Sequence, residues 1–141
     1  MITLSVQVRN AKLVKKALED LNAEIPKISA GRIWGRLNAA KVRMKQYPPV
    51  KPWSSYKRTR NYARGWDIQK NPSGGDVIVS YSFINRVQYA RLVGGGANRD
   101  GQAWMHVGWW PLTRDVLDDK LSALPKEISQ LITVAARRRG L

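Results

Sequence analysis

Few residues of this chain carry catalytic capacity. His106 is its single histidine and stands in the run Trp104-Met105-His106-Val107-Gly108. A metal or acid–base site built on it needs further ligands at suitable spacing, and Asp100 is the one nearby carboxylate. The ring is therefore expected to pack, with its nitrogens hydrogen-bonded. Asp115, Asp118 and Asp119 fall on the first turns of a predicted helix, where carboxylates complement the positive end of the macrodipole. Asp115 and Asp119 share a face, but Lys120 adjoins them, and a metal-dependent nuclease needs carboxylates clustered in a pocket. Gly94-Gly95-Gly96 matches neither the GxxxxGK[ST] nor the GxGxxG spacing whose amides cradle phosphates. Cysteine is absent, so disulfides, thiolate metal sites and thiol nucleophiles are excluded. The expectation is a protein without catalytic, cofactor or metal residues and without a small-molecule substrate.

Charge carries the stronger signal. There are 25 Lys+Arg against 10 Asp+Glu, a formal net charge of +15 in 141 residues. Such a balance favours polyanions or acidic protein surfaces as partners. It is concentrated in residues 25–66, which contain no Asp or Glu but include Lys27, Arg32, Arg36, Lys41, Arg43, Lys45, Lys51, Lys57, Arg58, Arg60 and Arg64. Aromatic residues interleave with these cations: Trp34, Tyr47, Trp53, Tyr56, Tyr62 and Trp66. Cations among stacking rings suit a phosphate backbone, single strands above all. Arginine and aromatics are equally enriched at protein–protein interfaces. The pattern therefore indicates binding and leaves DNA and protein open as partners. Lys41 and Lys45, with Arg137, Arg138 and Arg139, are the candidate DNA contacts.

These residues must be positioned by a small fold. A length of 141 residues suits one domain of the usual size, roughly 100–150 residues. Ile2, Leu4, Val6 and Val8 alternate with polar residues and predict a strand, with Asn10 as the cap of the helix that follows. Leu13, Val14, Ala17, Leu18 and Leu21 recur at helical spacing, and Ala30, Ile33, Trp34, Leu37, Ala40 and Met44 form a second stripe. Pro26 lies between them, so residues 11–45 are either one long kinked helix or two in tandem. Trp34, on that stripe, is assigned to the core, as is Trp66, which alternates with Ile68. The proline-rich residues 47–55 read as an extended loop that presents Trp53 and Tyr56.

A strand at Trp66 and Ile68, a turn over residues 71–75 and a strand through Val77, Val79, Tyr81 and Phe83 predict a hairpin. Residues 88–93 suit one or two helical turns, and 94–104 a flexible exposed loop leading to Trp104, Trp109 and Trp110. Pro111 opens a helix with the apolar face Leu112, Val116, Leu117, Leu121 and Leu124. Pro125 interrupts it, and Ile128, Leu131, Ile132 and Ala135 continue at helical spacing. The expected fold is α+β: a small antiparallel or mixed sheet with a long N-terminal helix and a C-terminal helix packed on it, with flexible loops at about 47–60 and 94–104. The first residues do not read as a signal peptide, and no apolar run approaches the roughly 20 residues that span a bilayer. No membrane partner is expected.

Tyr47-Pro48-Pro49, then Pro52, then the run from Tyr56 to Trp66 (YKRTRNYARGW) resembles the YPP…P…YxRTGxLxxSW signature of tailed-bacteriophage tail-completion and minor tail (neck) proteins. The likeness continues through a hairpin, a YAxxVxxG-like segment at Tyr89-Ala90-Arg91-Leu92-Val93-Gly94, a segment with Gln102, His106, Gly108 and Trp109, and a C-terminal helix. Its blocks run in order over residues 45–135. Arg60 stands in place of the usual Gly, Tyr62 of Leu and Gly65 of Ser. The resemblance implies a virion structural role without enzymatic activity. It implies a ring of like subunits, commonly six-fold, at the head–tail junction of a particle assembled in the host cytoplasm. Other neck, tail or connector proteins would be its partners, and genomic DNA would pass through the channel. Trp53, Tyr56, Arg58, Arg60, Arg64, Trp104 and Trp109 are the candidate interface residues, with the arginines pairing to acidic neighbours.

Overall fold

The computed structural model describes residues 11–55, 58–72 and 79–141. The strand expected over residues 2–8 and the Asn10 cap lie outside them. Helix α1 spans Ala11–Lys45 with Pro26 inside it. The choice between one helix and two resolves to one, about 52 Å long at 1.5 Å per residue. Proline lacks an amide proton and so removes one backbone bond, but the turns on either side continue. The arginine and lysine of the last turn, Arg43 and Lys45, complement the carbonyl end of the dipole.

The apolar stripe of α1 is used unevenly. Leu37, Ala40 and Met44 are buried, as is Leu21. Leu13, Val14 and Leu18 of the first turns stay exposed. Trp34 departs from its expected core position: it is 44% exposed. At 100° per residue it stands about 90° from the mean direction of Leu37, Ala40 and Met44. Its ring instead meets Tyr81 at 5.9 Å between centroids.

After α1 come a short helix α2 (Asn61–Arg64), strand β1 (Trp66–Lys70) and strand β2 (Tyr81–Asn85). The strands pair antiparallel, with Ile68 opposite Phe83 and Trp66 opposite Asn85. This register puts Trp66 and Phe83 diagonally on one face, where their rings stack at 4.7 Å. Trp66 and Ile68 are buried, as the alternation implied. The expected turn falls largely in residues 73–78, outside those described. At its base Asn71 N–H donates to Ser80 O at 2.9 Å.

Helix α3 (Ala90–Gly94), a 3₁₀ turn (Trp104–His106), α4 (Thr113–Leu121) and α5 (Leu124–Arg138) complete the chain. Helix α4 begins two residues after Pro111. Pro125 sits in the first turn of α5, where a missing N–H costs no intrahelical bond. Helices α4 and α5 both lie against α1. The ion pairs Arg36–Glu127 and Glu24–Arg139 show that α1 and α5 run antiparallel. The architecture is α+β, a two-stranded antiparallel sheet beside a long N-terminal and a C-terminal helix.

Ala40 and Met44 of α1, Tyr62 of α2, Trp66 of β1, Val93 of α3 and Val116 of α4 form the core. Tyr62, read in sequence as one ring of the basic span, is 3% exposed and joins two Trp rings edge-on: Trp66 at 5.6 Å and Trp110 at 5.3 Å. Five elements thus converge on one aromatic centre, from which two loops rise.

Candidate functional site

The two loops are the walls of one cleft. The proline loop forms the first wall, and Arg58 holds it. Its Nη1 donates to the carbonyl of Pro48 and its Nη2 to that of Pro49, at 2.5 and 3.2 Å. An extended proline loop makes no ladder or helix bonds, so its carbonyls need donors from elsewhere in the chain. The same guanidinium lies 5.4 Å from the Tyr47 ring centroid and 5.7 Å from that of Trp110. Tyr47 packs edge-on to Trp110 at 4.9 Å, and its hydroxyl accepts from Ala63 N–H at 3.2 Å. The loop is therefore fixed at both ends to the core rings.

The second wall runs from α3 to α4. Gln102 Nε2 lies within donating distance of three carbonyl oxygens: Val93 at 2.9 Å, Trp110 at 3.1 Å and His106 at 3.4 Å. One side-chain amide thereby gathers α3, the 3₁₀ turn and the approach to α4. Outside the cleft, Arg91 pairs with Asp100. Arg99 reaches Asp115 at 2.5 Å and Asp118 at 2.7 Å. The carboxylates of α4 thus act as counterions to the loop. Between the walls, Lys51 Nζ donates to Met105 O at 3.1 Å and stands 5.2 Å from the Trp109 ring.

The space enclosed is about 780 Å³, within the roughly 300–1,000 Å³ of small-ligand sites. Val50, Leu92, Val93 and Met105 contribute apolar surface. Lys51, Arg58 and Arg60 supply its cations and His106 an imidazole, and no Asp or Glu is among the described lining residues. Burial, followed by the charge of Lys51, pushes the His106 imidazole below its ordinary pKa, favouring the neutral ring. That ring stands edge-on to Trp110 at 6.2 Å. The hydrogen bonds expected at its nitrogens are not made to any described residue. No group of three or more His, Asp or Glu side chains that could hold a metal occurs among the described residues. No helix among them is long and apolar enough to cross a membrane.

Of the interface candidates, the cleft collects Trp53, Arg58, Arg60, Trp104 and Trp109. Trp53 and Trp104 are 80% and 84% exposed. Arg58 serves its own loop, and Arg60 lies on the surface with φ 62°. Arg64 is exposed on α2 and does not line the cleft; Tyr56 lies outside the described residues. The DNA-contact candidates are not brought together. Arg137, Arg138 and Arg139 end α5 near Glu24, whereas Lys41 and Lys45 lie at the other end of α1. The separation from Glu24 to Lys41 is roughly 26 Å along the axis. Arg139 is also occupied, pairing with Glu24 and donating to Ala135 O.

Sequence reading named Gln102 within the resemblance and Tyr62 among the rings of the basic span, but not their roles beneath the cleft, Gln102 as its tie and Tyr62 as its floor. The signal for Gln102 was a lone polar side chain between runs of loop and aromatic residues, which alone does not say which carbonyls it collects. Comparisons with protein-family models, curated proteins and solved structures find no match to this chain.

Proposed function

We propose that this chain is a virion structural protein of a tailed phage, a ring-forming neck or tail-completion subunit that joins tail to head and catalyses no reaction. The observation that carries the reading is the convergence of the residues on which the resemblance rests. Pro48, Pro49, Arg58, Val93, Gln102 and His106 are dispersed in sequence, yet they bond to one another or line one cleft. A motif whose blocks meet in space behaves as a framework for a binding surface.

The departures from the motif have local accommodations that support the same reading. Arg60 occupies the left-handed conformation that favours glycine, at φ 62°. Tyr62 fills a core position where the motif has Leu. At Gly65 a Cβ would meet Asn85 Oδ1 at 2.2 Å and Val87 Cγ2 at 2.7 Å, so serine does not fit here unless both neighbours shift.

Ring subunits need two complementary surfaces related by a closing rotation. Neighbouring neck, tail and connector proteins, and DNA in the channel, are the partners of this reading, and the virion is its location. Native mass spectrometry and negative-stain imaging of the purified chain test it. A closed ring that attaches to tails or heads lacking this protein is the expected result. A chain that stays monomeric and associates with neither removes the proposal.

A second reading, a nucleic-acid-binding module, draws on Arg137 and Arg138. Both are exposed on the last turn of α5 and pair with no described side chain. It predicts DNA affinity falling with salt at a log–log slope near −0.9 per phosphate contact. No binding at low salt excludes it.

A further inference from the structure

We propose that the cleft between the two loops seats a short acidic segment of a different protein. An aromatic or branched apolar side chain of that segment would be buried beside Trp53 and Trp104, with its carboxylates against Lys51 and Arg60. This rests on the assembly reading above and names the chemistry of one partner.

The first support is exposure at a concave site. Trp53 and Trp104 are among the most exposed large apolar side chains described, and neither contacts another ring among the described residues. Tryptophans at the mouth of an apolar pocket are characteristic anchor positions for a partner. The second support is charge. The cleft holds cations and no described carboxylate. The Arg60 guanidinium pairs with no described residue, its carbonyl accepting from Arg64 N–H, and Lys51 commits one of its ammonium donors to Met105 O.

Charge also selects against a second copy of this chain as the occupant. Glu19, Glu24, Asp67, Asp100, Asp115, Asp118, Asp119 and Glu127 already have basic partners. Among the described residues, Asp20 alone remains unpaired. A second copy has few carboxylates to offer, so the acidic segment belongs to another protein. Nucleic acid fits less well than a peptide. Tracking a phosphate backbone needs a row of available cations, whereas Arg58 is consumed by Pro48 and Pro49 and Val50, Leu92 and Met105 present carbon.

The test uses a fluorescein-labelled peptide of about ten residues alternating aspartate or glutamate with phenylalanine and leucine. Fluorescence anisotropy at low salt should give a Kd of about 10–100 μM, a range within reach of one small interface. Replacing the apolar residues by serine, or the acidic ones by lysine, should weaken binding at least tenfold. Trp53→Ala or Trp104→Ala should do the same with an unchanged melting temperature, because both side chains are exposed. Arg60→Gly should weaken binding about threefold to tenfold while raising the melting temperature, since glycine suits the positive φ. Opposite signs in one variant separate lost recognition from lost folding.

No binding at millimolar peptide, or affinity unchanged in both tryptophan variants, overturns the proposal. Tighter binding of a thymidine oligonucleotide of similar length, sensitive to the same variants, overturns it in favour of nucleic acid. Ring formation is read separately by native mass spectrometry. A ring without peptide binding removes this inference alone; peptide binding by a chain that forms no ring and attaches to neither heads nor tails removes the neck reading alone.

Discussion

A Cβ atom on Gly94 would stand 2.5 Å from the hydroxyl oxygen of Tyr62 and 2.6 Å from Thr113 Oγ1. The glycine is required by space, at the point where α3 crosses the aromatic centre. The Tyr62 hydroxyl is buried with the Thr113 side chain beside it but makes no well-formed hydrogen bond, and burial holds its pKa well above the ordinary phenol value. Gly94→Ala should therefore destabilise the protein by about 1–3 kcal/mol through overpacking. Tyr62→Phe removes an unsatisfied polar atom and should be neutral or stabilising by up to about 1 kcal/mol. The double variant should recover part of the loss, because the Thr113 contact persists. Urea unfolding of all four proteins gives the coupling. Strict additivity, or a Gly94→Ala protein as stable as the parent, contradicts the packing described.

Arg58 makes a second prediction. Within its own chain the guanidinium spans the carbonyls of two successive prolines while lying against Tyr47 and Trp110. A lysine ammonium is a compact point charge and does not reproduce that planar fork. Arg58→Lys should cost about 1–3 kcal/mol, the range for hydrogen bonds to charged groups, and should open residues 47–55 to limited proteolysis. Unchanged stability and cleavage would mean that Arg58 is not the strut of this loop.

The sequence-to-structure correspondence follows the range of the interactions. The extent of α1, the Trp66/Ile68 alternation and the break at Pro125 are local patterns, and each was legible. Trp34 was misassigned because a stripe of 3.6 periodicity has edges: one position off its centre faces Tyr81 and solvent. The cleft was legible only as two unconnected loops. What joins them, Lys51 to Met105 and Gln102 to Val93, His106 and Trp110, consists of side chains reaching backbone carbonyls. Carbonyls carry no sequence signature. Asp115, Asp118 and Asp119 were legible as carboxylates of one helix, but the pairing of Asp115 and Asp118 with Arg99 required the loop to fold back.

The exposed face of α1 gives a third prediction. Gly31 and Gly35 are mid-helix, and a Cβ at either would meet nothing within 4 Å. Nothing within the described chain therefore requires glycine there, although each costs roughly 1 kcal/mol against Ala. Gly31→Ala and Gly35→Ala should each raise unfolding free energy by about 0.5–1 kcal/mol. If the same variants impair association of the assembled protein, close approach of a partner to this face accounts for the glycines. A loss of stability in the isolated chain would show that an intramolecular contact requires the glycines.

The last prediction concerns pH and His106. Its folded pKa lies below the ordinary value of 6.5, through burial first and the nearby Lys51 second. Protonation therefore favours the unfolded chain. The sign follows from linkage: a group whose folded pKa is lowered contributes stability that is fully present above its unfolded pKa and is lost as pH falls towards and through its folded one. Asp67, held low chiefly by its hydrogen bond with Arg86, acts in the same direction but starts from an ordinary value of 3.8, so its loss comes in stronger acid. Between pH 7.5 and 5.5 the melting temperature should fall in the parent protein and stay nearly level in His106→Gln, which keeps a polar side chain without the titration. Equal slopes in the two proteins would mean that the imidazole is not held in its neutral form between Lys51 and Trp110.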